Sequence, residues 1–231
     1  MDGQVFDLDH AAWWVCRERG VEDAKLPRSA RDSRKRRCLK VACLYGARWA
    51  LEAAVFDGVI SPADPPKGVP SAVALRRNIS RVLTKAREAR PAPLIIHVRN
   101  CGDEGEPDEQ GGEGFELIFP PAEGEVVVDK RKNNAFTGTC LAQWIREDAE
   151  VVVVGLMSDH AIRATCSAAV GRGNEVILIR EAHSTYDRVE VLYGGGFTPA
   201  QNIASEIEDE LEDLGVHVLD MKDLHGIFMD R

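Results

Sequence analysis

Two segments of the sequence carry side chains that could take part in catalysis. In the first, residues 128–139, Lys130 directly follows an apolar run. A lysine at the end of a buried strand can have a lowered pKa, or its charge can stabilise an anion. Because Arg131 and Lys132 come next, the stretch equally fits a basic loop. The residues alone leave both interpretations open.

The second segment, residues 155–166, leads from an apolar run into a helical pattern. Backbone amides at such a strand-to-helix crossing point away from the helix N-terminus and can bind an anion or an oxyanion. A nucleophile on the first helical residue would gain from the same dipole. The residue predicted to stand there is Ala161, which carries no nucleophile.

The elements that must position these segments alternate between strand-like and helix-like patterns. The four valines at 151–154 are typical of a central parallel strand that is buried on both faces. Ser71 is a predicted N-cap, and Pro91 is expected to end the helix that follows it. Further strands are predicted at 49–56, 94–98, 126–128, 175–179 and 216–219, and further helices from 139, 161 and 199.

This alternation predicts an α/β fold, a doubly wound and mostly parallel sheet flanked by helices. In such sheets a ligand binds beyond the carboxyl ends of the strands, where both segments begin. In the loop at 101–114, residues 103–109 include five acidic residues, and the loop is predicted to be a solvated surface.

The two segments, in this order, resemble the isochorismatase-like cysteine hydrolases, a family that includes nicotinamidases and N-carbamoylsarcosine amidases. That family has Lys and, six residues later, Phe in a Ser-Ala-Phe context, which Lys130, Asn134 and Phe136 resemble. Its second motif is Gly-x-x-Thr/Ser-x-x-Cys. Here Ser158 fits that motif, and Ala161 falls on the cysteine. The resemblance covers residues 50–220.

The resemblance implies hydrolysis of an amide by an Asp, a Lys and a Cys. The Asp, at the end of the first strand, takes the thiol proton, and the thiolate attacks the carbonyl while backbone amides hold the oxyanion. On this chain it implies a catalytic role for Lys130 and the nucleophile position at Ala161. The residues implied in oxyanion or substrate binding are Ser158, His160, Ala161, Asn134 and Phe136.

The position of the first-strand acid is open. Two alignments place Val55 or Ala54 there, and only a shifted strand lets Asp57 serve as the base. Cys166 lies five residues beyond Ala161, about 140° around a helix, and is expected to face elsewhere. The sequence therefore predicts an impaired hydrolase for C–N bonds of small amides. The alternative is a non-catalytic small-molecule-binding or assembly module.

Composition limits the remaining function classes. The chain has 231 residues and a formal net charge of −9, which argues against nucleic-acid binding. The six cysteines are scattered, which predicts reduced thiols in a cytoplasmic protein. No apolar run is long enough for a membrane span, so no membrane contact is predicted. No spacing of metal ligands is present, and neither a metal nor a cofactor is predicted. Residues 1–45, with a basic RKRR at 34–37, are predicted to be a poorly ordered extension, although a nuclear address stays an alternative. Residues 46–231 are the predicted hydrolase domain, and the resemblance implies a homo-oligomer.

Overall fold

The computed structural model describes residues 39–45, 69–106, 108–190 and 196–228. Its centre is a sheet of six parallel strands in the order β3-β2-β1-β4-β5-β8. These are β1 (Leu39–Tyr45), β2 (Leu94–Asn100), β3 (Val126–Lys130), β4 (Glu150–Leu156), β5 (Glu175–Ser184) and β8 (His217–Leu219). A separate antiparallel pair consists of β6 (Arg188–Glu190) and β7 (Gly196–Thr198).

Helices cover both faces of the sheet. They are α1 (Ala72–Glu88), α2 (Leu141–Trp144), α3 (Arg163–Gly171), α4 (Ala200–Asp213) and α5 (Leu224–Phe228). A π-helical turn, Ser158–Ile162, precedes α3, and short 3₁₀ turns occupy Glu113–Phe115 and Met221–Asp223. The predicted α/β class, with a parallel sheet between two helical layers, is confirmed.

The core divides into two apolar clusters, one on each face of the sheet, because successive side chains of a strand point to opposite faces. In β4, Val152 and Val154 face α1 and α5, whereas Val151 and Val153 face α3 and α4. All seven residues of β4 are buried. The valine run is therefore a central strand, as predicted.

The sheet begins earlier in the chain than predicted. Strand β1 pairs with β2 on one side and β4 on the other, and Val41 and Ala42 are buried. The boundary at residue 46 was wrong for these residues, since it left a central strand in the extension. The strand predicted at 49–56 lies outside the described residues.

Three local predictions also needed correction. Helix α1 begins after Ser71, but the Ser71 side chain makes no capping bond, because its hydroxyl lies 2.6 Å from the Ser184 hydroxyl. The helix predicted from residue 139 is only the single turn of α2. Strands β6 and β7 and helix α5 were not predicted, since each is too short to show a periodic pattern. Within the described part of the chain, no helix is long and apolar enough to cross a membrane.

Candidate functional site

Lys130, at the end of β3, is held by a polar chain that reaches into the neighbouring strand β2 and the loop after β2. Its register partner on β2 is Asn100, and the Lys130 Nζ donates to Asn100 Oδ1 at 2.8 Å. Asn100 Nδ2 in turn donates to Asp108 Oδ2 at 2.6 Å. Burial of Lys130, which is only 4% exposed, lowers its pKa to about 8, and the Asp108 charge opposes that change. A buried lysine whose pKa lies near neutral pH can exchange a proton or stabilise an anion.

The loop after β2 delivers Asp108 to this chain. The Gly102 amide donates to the Asp108 carbonyl oxygen at 2.9 Å, which folds the loop back on itself. Asp108 is 8% exposed, so the interpretation of all five acidic residues as a solvated surface was wrong for this one. Local composition could not show this, because the fold of the loop decides which carboxylate turns inward.

The chain leaves β4 by an irregular path. Gly155 has a φ of 131°, which L side chains rarely adopt, and the pairing of β4 with β5 shifts register between Val153 and Gly155. The π-helical turn then places Ala161 fourth in a helical segment, so the prediction that it is the first helical residue was wrong. Ala161 is buried, at 5% exposed.

The oxyanion amides predicted around Ala161 are partly engaged by the turn. The amides of His160 and Ile162 both donate to the Met157 carbonyl oxygen at 3.1 Å. The His160 side chain is about half exposed and its Nδ1 lies 3.1 Å from Asp159 Oδ1. An oxyanion at His160 would therefore require this amide to exchange partners.

Thr165 joins the two motif segments. Its hydroxyl donates to the Asn133 carbonyl oxygen at 3.3 Å and accepts from the Ala135 amide at 3.1 Å. Ala135 and Thr165 are both buried. The loop after β3 is thus fixed against the first turn of α3, which explains why the two motifs occur together.

Two predicted substrate-binding residues make contacts within the protein. Asn134 Oδ1 accepts from the Phe136 amide at 3.0 Å, which closes a local turn. The Phe136 ring packs against the apolar cluster beneath α3, with the Arg172 guanidinium 4.8 Å from its centroid. Their roles toward a ligand stay predictions.

Ser158 takes part in a buried chain that extends away from Ala161. The Ser158 hydroxyl lies 2.9 Å from His183 Nδ1, and His183 Nε2 lies 3.1 Å from Glu208 Oε1, without hydrogen-bond geometry. Arg180 Nε donates to the other Glu208 oxygen at 2.9 Å. A serine, a histidine and an acid in series could in principle form a nucleophilic triad. Ser158 is 0% exposed, so in this arrangement the series is buried and connects the π-helical turn, β5 and α4.

The Asp159 carboxylate, in the same π-helical turn, contacts three side chains. Its carboxylate accepts from the Thr185 hydroxyl at 2.6 Å and from Arg188 at 2.9 Å, besides the His160 contact. Burial opposes ionisation, but the hydrogen bonds from Thr185 and His160 outweigh it and hold the pKa of Asp159 below its usual range. The cluster ties the turn to the end of β5 and the start of β6.

Among the described residues, neither Cys166 nor strand β1 supplies the missing nucleophile or acid. Strand β1 contains no Asp or Glu, and Asp57, Val55 and Ala54 lie outside the described residues. Cys166 is completely buried, and burial raises its pKa to about 12, so it is not a thiolate nucleophile. Among the described residues, no group of three His, Cys, Asp or Glu side chains could hold a metal ion.

Sequence reasoning missed several residues of the site, namely Asn100, Asp108, Asp159 and Thr185. Asn100 had one usable signal, since it is a polar residue at the end of a predicted strand next to the lysine strand. The other three are polar residues whose neighbours come from distant parts of the chain. No local pattern marks such residues.

A parallel sheet between helical layers, with a buried lysine and a strand-to-helix turn at its carboxyl edge, defines an α/β protein of the three-layer, doubly wound class. The family profile described as the isochorismatase domain matches residues 55–193. The match spans more than half of the chain, and the chain belongs to the isochorismatase family. The predicted resemblance is therefore confirmed.

Known proteins similar to this chain agree with that assignment. A streptothricin hydrolase from Streptomyces noursei is 34% identical over 125 residues, 52% of this chain and 49% of that protein. The chain thus spans about half the length of these curated relatives. An isochorismatase from Pseudomonas putida KT2440 has the same fold, with a TM-score of 0.68 and 24% identity over 85% of this chain and 95% of its own. A cysteine hydrolase from Pseudomonas syringae pv. phaseolicola 1448A gives a TM-score of 0.67 at 18% identity, over 81% and 91%.

Proposed function

We propose that this chain is an isochorismatase-family protein whose amide-hydrolase site has lost its nucleophile, so that hydrolysis of small amides is absent or very weak. The observation that carries this proposal is Ala161. It occupies the motif position of the cysteine, and a methyl group cannot attack a carbonyl. Cys166 does not replace it, because its thiol is buried with a raised pKa.

Other parts of a hydrolase site persist. Lys130 is buried at the carboxyl edge of the sheet with a pKa of about 8, suited to stabilising negative charge on a reacting group. Thr165 holds the lysine loop against the turn that carries Ala161. Their retention supports descent from an active amide hydrolase.

The test is to measure ammonia release from primary amides and carbamoyl compounds by the parent and by Ala161→Cys. Because similar proteins are named streptothricin hydrolases, streptothricin joins the panel, with its hydrolysis followed by mass spectrometry. We expect no turnover by the parent and measurable turnover by Ala161→Cys. That turnover should be abolished when Lys130→Ala is added.

A matched control places the new thiol elsewhere on the same helix. Ala168 lies on α3 two turns beyond Ala161, so Ala168→Cys adds the same group away from the strand ends. This variant should stay inactive. Turnover by the parent that Lys130→Ala abolishes would contradict the proposal, because another group would then be the nucleophile.

A non-catalytic binding module is the second candidate. It is favoured by the absence of both a motif cysteine and an acid in β1. If parent and Ala161→Cys are both inactive while a panel amide raises the melting temperature of the parent, the binding module is the better description. A homo-oligomer, implied by the resemblance, and a cytoplasmic location, predicted from composition, both stay predictions. Light scattering of the purified protein tests the first.

A further inference from the structure

We propose that Asp108 is a positioning residue that acts through Asn100 to orient the Lys130 ammonium, and so supplies from the β2–β3 loop a carboxylate that β1 lacks. The inference rests on the proposed function only in treating Lys130 as part of the ancestral site. It concerns a residue that neither the motifs nor the family resemblance pointed to.

The geometry of the chain carries the argument. Asn100 spans the gap between the two charged groups, since its Oδ1 accepts from Lys130 and its Nδ2 donates to Asp108. The amide is thereby fixed in one orientation, with no freedom to exchange its oxygen and nitrogen. Lys130, Asn100 and Asp108 thus form one connected unit at the edge of the sheet.

The loop is built to admit this carboxylate. Gly102 faces Asp108, and a Cβ atom at position 102 would collide with Asp108 Oδ1 and crowd the Glu106 side chain. Two other carboxylates of the loop bond within it, because Glu106 accepts from the Asp103 amide and Glu109 from the Gly105 amide. Asp108 alone among the described acidic residues of this loop turns toward the lysine.

The charges of Asp108 and Lys130 stabilise each other. Burial disfavours the charged form of a lysine, and a nearby carboxylate favours that form. Asp108 is the charged group among the described residues that raises the pKa of Lys130 against burial. Arg131, the adjacent cation, is instead paired with exposed Asp103 at 2.9 Å.

The experiment measures the titration midpoint of Lys130 by ¹³C NMR of its Cε, assigned by the signal lost in Lys130→Met. Asp108→Asn keeps an acceptor for the Asn100 amide but removes the charge, so the midpoint should fall by about one pH unit. Gly102→Ala displaces the same carboxylate by steric contact and should shift the midpoint in the same direction.

The control is Asp103→Asn, which removes one negative charge from the same loop at a side chain that is 88% exposed. It should leave the Lys130 midpoint unchanged. Equal shifts in both Asn variants, or none in Asp108→Asn, would overturn the proposal. If Asp108→Asn fails to fold, the titration of Asp108 in the parent protein tests the proposal instead. The Asp108 carboxyl signal must then show an inflection at the Lys130 midpoint, and its lack refutes the coupling.

This readout is independent of turnover, since the parent with Ala161 is the protein measured. An inactive Ala161→Cys together with a shifted Lys130 midpoint would contradict the proposed amide-hydrolase site but not the role of Asp108. An active Ala161→Cys together with an unshifted Lys130 midpoint in Asp108→Asn would support the hydrolase site but reject the role of Asp108.

Discussion

At the residue scale, Glu125 illustrates how a side chain with no motif signature becomes central to a charge network. Its carboxylate accepts from Arg87 Nε at 2.7 Å, from the Ala122 amide at 2.8 Å and lies 2.7 Å from the buried His97 Nε2. Burial opposes its ionisation, but the bonds from Arg87, Ala122 and His97 outweigh it and lower the pKa of Glu125 to about 2. His97, whose pKa burial lowers, is satisfied within the protein.

We expect Glu125→Gln to destabilise the protein at neutral pH by about 2 kcal/mol, and by much less near pH 3. The folded-state pKa lies below the unfolded value of 4.5. The stabilisation is therefore present above about pH 4.5 and is lost as the pH falls toward 2. Urea unfolding of parent and variant at several pH values measures the difference.

Exposed Glu123→Gln, two residues away, is the matched control and should show little effect at any pH. A Glu125→Gln penalty that is the same at pH 7 and pH 3 would mean that the loss is one of packing and not of charge.

At the element scale, α3 and the loop after β3 behave as one unit because Thr165 bonds to two backbone groups of that loop. A buried hydroxyl that satisfies backbone donors and acceptors leaves them unpaired when it is removed. The position of the loop after Lys130 therefore depends on a residue of α3, the helix that follows the nucleophile motif.

Thr165→Val should cost about 1–2 kcal/mol of unfolding free energy and speed hydrogen exchange at the Ala135 amide, which loses its acceptor. Thr165→Ser keeps the hydroxyl and should leave that amide protected. Thermal unfolding and amide exchange by NMR check both variants. Unchanged protection of Ala135 in Thr165→Val would show that the loop is held by packing alone.

At the scale of the whole molecule, β1 decides whether the sheet is continuous. It lies between β2 and β4, and Val41 is completely buried in the cluster beneath α1 and α5. An edge strand such as β3 has one neighbour and is more open, as the 39% exposure of Val127 shows. Residues 39–45 are therefore essential to this fold.

Val41→Asp should abolish cooperative folding, because an unpaired buried carboxylate costs several kcal/mol and domains have only about 5–15 kcal/mol in total. Val127→Asp makes the same change on the partly exposed edge strand and should fold, with a loss of about 1 kcal/mol. Circular dichroism melting curves distinguish the two. A cooperative melt of Val41→Asp near that of the parent would refute the central placement of β1.

Much of the fold was predictable because hydrophobic periodicity is a local property. The strands at 94–98, 126–128, 151–154 and 175–179 and the helix after Ser71 were identified from spacing alone, and the structure confirms them. The central strand β1 was missed because Lys40 and the basic stretch before it make its apolar run look like part of a solvated extension.

The sequence by itself determined the parallel α/β architecture, the place of Lys130 at a strand end and the absence of a thiol at Ala161. Only the tertiary structure decided that Asn100 and Asp108 meet Lys130, and that Thr165 joins the two motifs. The physical reason is that strand register and loop closure depend on contacts between residues far apart in the chain. Periodicity, which reflects only near neighbours, carries no information about those contacts.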